Sequence, residues 1–243
     1  NPYSGQISSL SIPTAYTGDG ALAYFFSESQ TKIRAHVGNS FRAPSGYERF
    51  GSFFGFYYGD PRLAPERSVA VDGGIDQSLF GSKLELNATA FYTNLQEIIG
   101  FAAVASDPFG RTSGYTNRPG GIARGVEFGG RLSPTINTKI QASYTYTNSD
   151  SREPTSCADY YQVLDVSPHL FTVTATQWIS RRTSVTFDMA AHSDYKAELF
   201  GGLFGGESRR FRFDGPVKAD AVVRHSVPFG EDHTLEIYAK VEN

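Results

Sequence analysis

The chain of 243 residues is poor in sulfur and in indole, with one cysteine, one methionine and one tryptophan. Cys157 stands alone, so neither an intrachain disulfide nor a thiolate metal cage can be built from this sequence. No run of about 18 apolar residues occurs, which excludes a transmembrane helix. No charged segment followed by an apolar one opens the chain. Apolar residues nowhere hold a period of 3.6, so long helices are excluded as well. The formal net charge is −3 and the basic residues are scattered, which argues against a nucleic-acid partner.

Signatures of catalysis are equally scarce. No Gly-x-Ser-x-Gly elbow selects a nucleophile. His36, His169, His192, His225 and His233 show no metal-ligand spacing. Asp188 and His192 lie four apart, too far along an extended strand to chelate one ion. Gly201-Gly202-Leu203-Phe204-Gly205-Gly206 lacks the strand-to-helix setting of a phosphate cradle and reads as a loop. Asn87-Ala88-Thr89 matches a glycosylation sequon but falls inside a predicted strand. The reading is of a non-enzyme, with no catalytic residue, cofactor or metal site.

What the chain has is glycine (25), tyrosine (14), phenylalanine (19) and alternation. Ile33, Ala35 and Val37 alternate with Lys32, Arg34 and His36. Leu84, Leu86, Ala88, Ala90 and Tyr92 alternate with Lys83, Glu85, Asn87, Thr89 and Phe91, and Ile140 to Tyr146 repeats the pattern. The same period runs through Val185 to Met189 and Leu235 to Val241. Each set gives a strand one apolar and one polar face. Ten strands are predicted: 20–27, 31–41, 66–79, 83–98, 115–132, 138–149, 168–179, 183–196, 210–227 and 233–243. Short turns near 29–30, 80–82, 134–137, 180–182 and 229–232 take turns with long loops at 42–65, 99–113, 149–166 and 198–209.

A soluble β-sandwich, a soluble up-and-down barrel and a membrane barrel all produce such alternation. Strands longer than ten residues, with short turns at one end and long loops at the other, favour the membrane barrel. Lys32, Arg34, Glu85, Glu127, Arg131, Asp188, Glu236 and Lys240 all fall on the polar sets. A Lys or Arg on a lipid face at mid-membrane costs roughly 2–4 kcal/mol, so the segregation fits a polar lumen. A solvated sheet face would segregate in the same way. Tyr92, Tyr144, Tyr146 and Trp178 suit interfacial girdles or cross-strand aromatic pairs.

Within this pattern stand Asn39-Ser40-Phe41-Arg42-Ala43-Pro44-Ser45, Asp60-Pro61-Arg62-Leu63-Ala64-Pro65-Glu66-Arg67-Ser68, Tyr115-Thr116-Asn117, Ala123-Arg124-Gly125-Val126-Glu127-Phe128 and Tyr238-Ala239-Lys240-Val241-Glu242-Asn243. In order and spacing the set resembles the later half of the barrel of TonB-dependent outer-membrane receptors. The resemblance implies an all-β fold: a transmembrane antiparallel β-barrel portion, about ten strands of a 22-stranded barrel, with short periplasmic turns and long extracellular loops. It implies that residues 1–243 are a partial barrel domain, both ends reading as cut, with the plug, the early strands and the last strand elsewhere. It implies active transport of a scarce nutrient, a ferric siderophore or cobalamin, energised through TonB by the missing N-terminal region. It also implies contact with outer-membrane lipid and lipopolysaccharide.

Phe41, Pro44, Pro61, Pro65, Glu66, Gly125 and Glu127 are expected to be structural, with Glu66 and Arg67 in ion pairs at the rim and Glu127 paired across strands. The aromatic loop between Arg42 and Arg67 is the expected ligand surface, through Arg42, Tyr47, Arg49, Phe53, Phe54, Phe56, Tyr57 and Tyr58. Arg62 adds a further cation there, and Tyr160-Tyr161 and 199–206 are lesser candidates. A passive porin or adhesin barrel, and a soluble β-rich carbohydrate-binding module, are the competing functions.

Overall fold

A computed structural model describes residues 14–53, 57–103, 111–151, 166–199, 209–230 and 233–243. In chain order its elements are β1 (Asp19–Phe26), β2 (Thr31–Arg42), α1 (Gly46–Phe50), β3 (Ser52–Phe53), β4 (Tyr57–Tyr58), β5 (Glu66–Leu79), β6 (Leu84–Ala103) and β7 (Ser113–Thr135). There follow β8 (Thr138–Ser151), β9 (His169–Ser180), β10 (Thr183–His192), β11 (Tyr195–Leu199), β12 (Arg209–Phe213), β13 (Val217–Phe229) and β14 (His233–Glu242). The long strands form one meander, β1-β2-β5-β6-β7-β8-β9-β10-β13-β14, in which every neighbour is antiparallel. Among the described residues, β1 and β14 pair on one side only.

Register turns the alternation into two faces. Ile33, Ile75, Ala88, Phe128, Tyr144 and Phe171 lie in one row across six strands, and every member is apolar or aromatic. One residue along, Lys32, Asp76, Asn87, Gly129, Ser143 and Thr172 make the matching polar row. The polar face is cross-linked within itself. Arg34 donates to Thr89 Oγ1 at 2.6 Å and lies 3.6 Å from Asp76, while Arg131 pairs with Glu85. Thr174 donates to Asp188 at 2.6 Å.

The apolar face covers nothing. Val71, Ile75, Leu86, Phe128, Phe187, Val223 and Val241 are all exposed, and the buried apolar residues described are Tyr57, Leu63, Ile99 and Ala197, with Pro65 fully enclosed. A water-soluble sheet would hide such a face. On β8 the apolar stretch is bounded by Thr138 and Asn148, ten residues apart. At 3.3 Å per residue and a tilt of roughly 40° this spans about 25 Å, the height of a hydrocarbon band.

Short and long connections alternate as expected, but the edges of several elements differ from the sequence reading. β6 and β7 run on to pair Ala103 with Ser113, which shortens the loop placed at 99–113. The segments read as single strands over 183–196 and 210–227 are each broken. β11 and β12 leave the wall as a hairpin of their own, because Pro216 has no N–H to continue the ladder and the last bond joins His192 N–H to Pro216 C=O at 3.0 Å. Asp194 fixes the corner, accepting from Gly215 N–H at 3.1 Å and from Arg212. Trp178 pairs with Ser184 and so falls on the polar face, whereas Tyr92, Tyr144 and Tyr146 lie on the apolar one.

Gly125 is dictated by its surroundings. A Cβ there would stand 1.9 Å from Tyr146 O and 2.7 Å from the Phe91 ring, which packs over the gap. Glu127 makes no ion pair among the described residues, so the expected cross-strand pairing is replaced by Arg131–Glu85 beside it. The two faces make opposite predictions for one substitution. In the full-length protein in lipid vesicles, Phe128→Arg should lower stability to denaturant by about 2–4 kcal/mol. Thr145→Arg, opposite Glu127 on the polar face, should change it by less than about 1 kcal/mol.

Candidate functional site

At the long-loop end, residues 43–53 and 57–65 fold into a compact mount rather than an irregular excursion. Ser45 starts α1 with a capping box: its hydroxyl accepts from Glu48 N–H at 3.2 Å, and Glu48 accepts from Ser45 N–H at 2.6 Å. Pro44 precedes this cap, where its fixed φ suits an entering chain. β3 and β4 form a minimal hairpin behind the helix, and β4 touches β7 through Tyr57 and Ser113. Gly59 lets the returning chain pass against the helix, since a Cβ there would meet Arg49 carbonyl carbon at 2.4 Å.

One guanidinium fastens this mount to the wall. Arg42, the last residue of β2, donates to both oxygens of Glu66 at 2.6 and 2.8 Å and to both of Glu48 at 3.2 and 3.0 Å. Glu66 in turn accepts from Ile99 N–H at 2.8 Å. A single cation thereby joins β2, α1, β5 and β6. Glu66 pairs with Arg42 rather than beside Arg67, which is exposed, shares the outer face with Phe41 and makes no ion pair among the described residues.

The rest of the mount is held by buried polar contacts. Arg49 is buried and donates to Pro61 C=O from Nη2 at 2.7 Å and Nε at 3.2 Å. Asp60 accepts from Arg62 at 2.7 and 2.8 Å and from the buried Arg111 at 3.1 Å. The Asn117 carboxamide mimics a strand neighbour, accepting from Ala64 N–H at 2.8 Å and donating to Ala64 C=O at 2.9 Å. Pro65 is enclosed beside it. Tyr57 donates its hydroxyl to Tyr47 C=O at 2.7 Å. Burial pushes the Tyr57 phenol up to about 12, so it remains a donor at physiological pH.

Four rings make the upper surface. Tyr57, Phe101 and Tyr115 are mutually in contact at centroid distances of 5.4 to 5.8 Å, and Tyr47 packs on Tyr57 at 5.3 Å. Tyr57 is buried, but Tyr47 and Phe101 remain 54% exposed and Phe50 is 50% exposed, which leaves their faces open to a ligand. On the polar wall below lies a groove of about 550 Å³ lined by Glu85, Glu127, Arg131, Gln141, Thr145 and Thr174.

The structure thus brings Arg42, Tyr47, Arg49, Tyr57 and Tyr58 together. It commits Arg42 and Arg49 to internal partners, buries Tyr57, half-buries Tyr58 and presents Tyr47 outward. The side chain of Phe53, and Phe54 and Phe56 entirely, lie outside the described residues, as do Cys157, Tyr160-Tyr161 and 201–206. Sequence reasoning missed Arg111, Asn117, Phe101 and Tyr115. Tyr115-Thr116-Asn117 was visible as a motif, but nothing local shows that it faces Ala64 across 53 residues.

Two tests address the mount. Arg49→Ala strands Pro61 C=O and should destabilise the loop by about 1–3 kcal/mol, read as faster protease nicking between residues 42 and 66 with the barrel melting point unchanged. Burial alone would raise the Glu48 and Asp60 carboxyls, yet hydrogen bonds from Arg42 and Ser45 to the first, and from Arg62 to the second, hold both below their ordinary values of 4.5 and 3.8. Depressed folded values stabilise above the unfolded pKa and are lost on acidification. Amide protection in the loop, corrected for the intrinsic pH dependence of exchange, should therefore be constant from pH 7 to about 5 and fall as pH drops below about 4.

A family model described as TonB dependent receptor-like, beta-barrel matches residues 3–243. No curated protein matches significantly. Among solved structures, a mutant of the ferric enterobactin receptor PfeA from Pseudomonas aeruginosa superposes with a TM-score of 0.69 at 15% identity, over 96% of this chain and 35% of that one. The siderophore receptor PirA from Acinetobacter baumannii gives 0.64 at 14%, over 91% and 36%. The copper transporter OprC gives 0.66 at 15%, over 93% and 33%. The chain thus spans about a third of the length of the structures it matches, and the shared feature is the antiparallel barrel wall. Those structures are described as two receptors and a transporter, and, by the family model that spans it, the chain belongs to the TonB-dependent receptor β-barrel family.

Proposed function

We propose that residues 1–243 are part of the barrel domain of an outer-membrane receptor that actively takes up a scarce nutrient, energised through TonB. The observation that carries this reading is the two-faced wall crowned by a folded aromatic mount, in a chain of the receptor family. The exposed apolar face argues against a soluble carbohydrate-binding module, and the family argues against a passive porin. The plug, the TonB-contacting segment and the other strands belong to the remainder of a longer molecule. The one-sided pairing of β1 and β14 supports this, since unpaired backbone in lipid requires a neighbour. Lipid and lipopolysaccharide surround the apolar belt.

For cargo, a ferric siderophore comes first and cobalamin second. Relatives described as a ferric enterobactin receptor and a ferric-catecholate import receptor favour a chelate with flat rings. The exposed faces of Tyr47, Phe50 and Phe101 offer stacking surfaces for one, with Tyr58 beside them. Arg42, Arg49 and Arg62 are engaged inside the loop, so we assign recognition in this region to the rings and the scaffold to the guanidinium groups.

Uptake of a radiolabelled ferric catecholate tests the assignment directly. Cells expressing the full-length receptor should accumulate the label, and removal of TonB should abolish accumulation. Tyr47→Ala should raise Kd roughly 2–12-fold, the equivalent of about 0.5–1.5 kcal/mol for one aromatic contact, without moving the unfolding midpoint. Uptake that persists without TonB would overturn the reading.

A further inference from the structure

One charge inside the mount is left over. Its four guanidinium groups, Arg42, Arg49, Arg62 and Arg111, are set against three carboxylates, Glu48, Asp60 and Glu66. Arg42 takes Glu48 and Glu66, and Asp60 takes Arg62 and Arg111. Arg49, 9% exposed, has no carboxylate partner among the described residues. Its two hydrogen bonds there both go to a neutral acceptor, Pro61 C=O. An amide side chain would also donate to that carbonyl. A buried guanidinium without a counter-ion is costly, and the tie to Pro61 does not explain it.

The neighbouring side chain shows where the charge is directed. Phe50 closes α1, and Gly51 N–H on Tyr47 C=O at 2.8 Å fixes that last turn. The Arg49 guanidinium carbon lies over the Phe50 ring, 5.2 Å from its centroid and within cation–π range. Arg49 is buried and Phe50 is 50% exposed, so the cation sits on the inner face of the ring and the outer face meets solvent.

A bare phenyl face is negative and repels an anion. A cation held against one face draws the π electrons toward itself and adds a field that reaches through the ring. The outer face of Phe50 thereby becomes receptive to negative charge. Tyr47 and Phe101, the other open rings of the platform, have no cation over them among the described residues. Phe50 is thus the ring whose electrostatics set it apart.

We infer that Phe50, backed by Arg49, is the charge-selective contact of the platform: it stacks an electron-rich anionic ring, a phenolate or catecholate, in preference to a neutral chelate. The inference deepens the proposed receptor function and rests on it, and Arg49 acts through the ring as a positioning residue. The test is the affinity of the full-length receptor for two iron(III) complexes, an anionic tris-catecholate and a neutral tris-hydroxamate. The wild type should favour the catecholate. Phe50→Leu, which leaves the Arg49 hydrogen bonds in place, should cut that preference about two- to fivefold by weakening the catecholate alone. Arg49→Gln keeps a donor for Pro61 C=O and should cut the preference by the same factor, and the double variant should cut it no further. A wild type that binds both complexes without preference would overturn the inference and leave the receptor reading intact. So would Phe50→Leu weakening both complexes alike or neither. Arg49→Gln weakening both alike would reduce Arg49 to a structural tie, and additive losses in the double variant would overturn its action through the ring. A wild type that binds neither complex would instead overturn the cargo reading, and the inference with it.

Discussion

A strand that crosses lipid must pair every backbone N–H and C=O with its neighbours and turn only apolar side chains outward. Much else in this wall follows from that requirement. Pairing forces an uninterrupted antiparallel meander, and the outward restriction forces a strict period of two. With charge excluded from one face, the ionic groups collect on the other, where Arg34 with Asp72 and Asp76, and Arg131 with Glu85, neutralise one another across strands. Gly125 belongs to the same logic, because the Phe91 ring on the polar face fills the space that a side chain there would take.

Where the wall leaves the membrane, the constraint changes and so does the construction. The long-loop end buries apolar residues as a water-soluble protein does, around Tyr57, Leu63, Ile99 and Pro65. Arg42 joins the two regimes. It is the last residue of β2 and the point to which helix, neighbouring strand and β6 are tied. A rigid mount can hold aromatic rings toward solvent without collapsing onto them, which is what a ligand platform at a barrel mouth needs.

The wall was largely legible in the sequence because its period is local. Residues 66–79 read as a strand from end to end, and the alternation of short and long connections followed without knowledge of any contact. Elements fixed by distant partners were not legible. Nothing near Ala64 announces Asn117, and nothing near Asp60 announces Arg111. The helix at 46–50 is too short to show a period, although Ser45 and Glu48 carried its capping box in plain view. The broken strands at 192–195 and 213–217 were missed for the opposite reason, since alternation continues through both breaks and Asp214-Gly215-Pro216 alone marks the second. Arg42, Arg49 and Arg62 read as ligand contacts in the sequence, where their internal partners at Glu66, Pro61 and Asp60 are not visible.

The central claim is that the apolar face meets lipid and the polar face lines a lumen. A nitroxide scan along β8, from residue 139 to residue 147 in the full-length protein in vesicles, tests it most directly. Even positions should be accessible to oxygen and shielded from a water-soluble nickel complex, odd positions the reverse, with a period of two along the whole stretch. Even positions open to the nickel complex, or no period at all, would contradict the account.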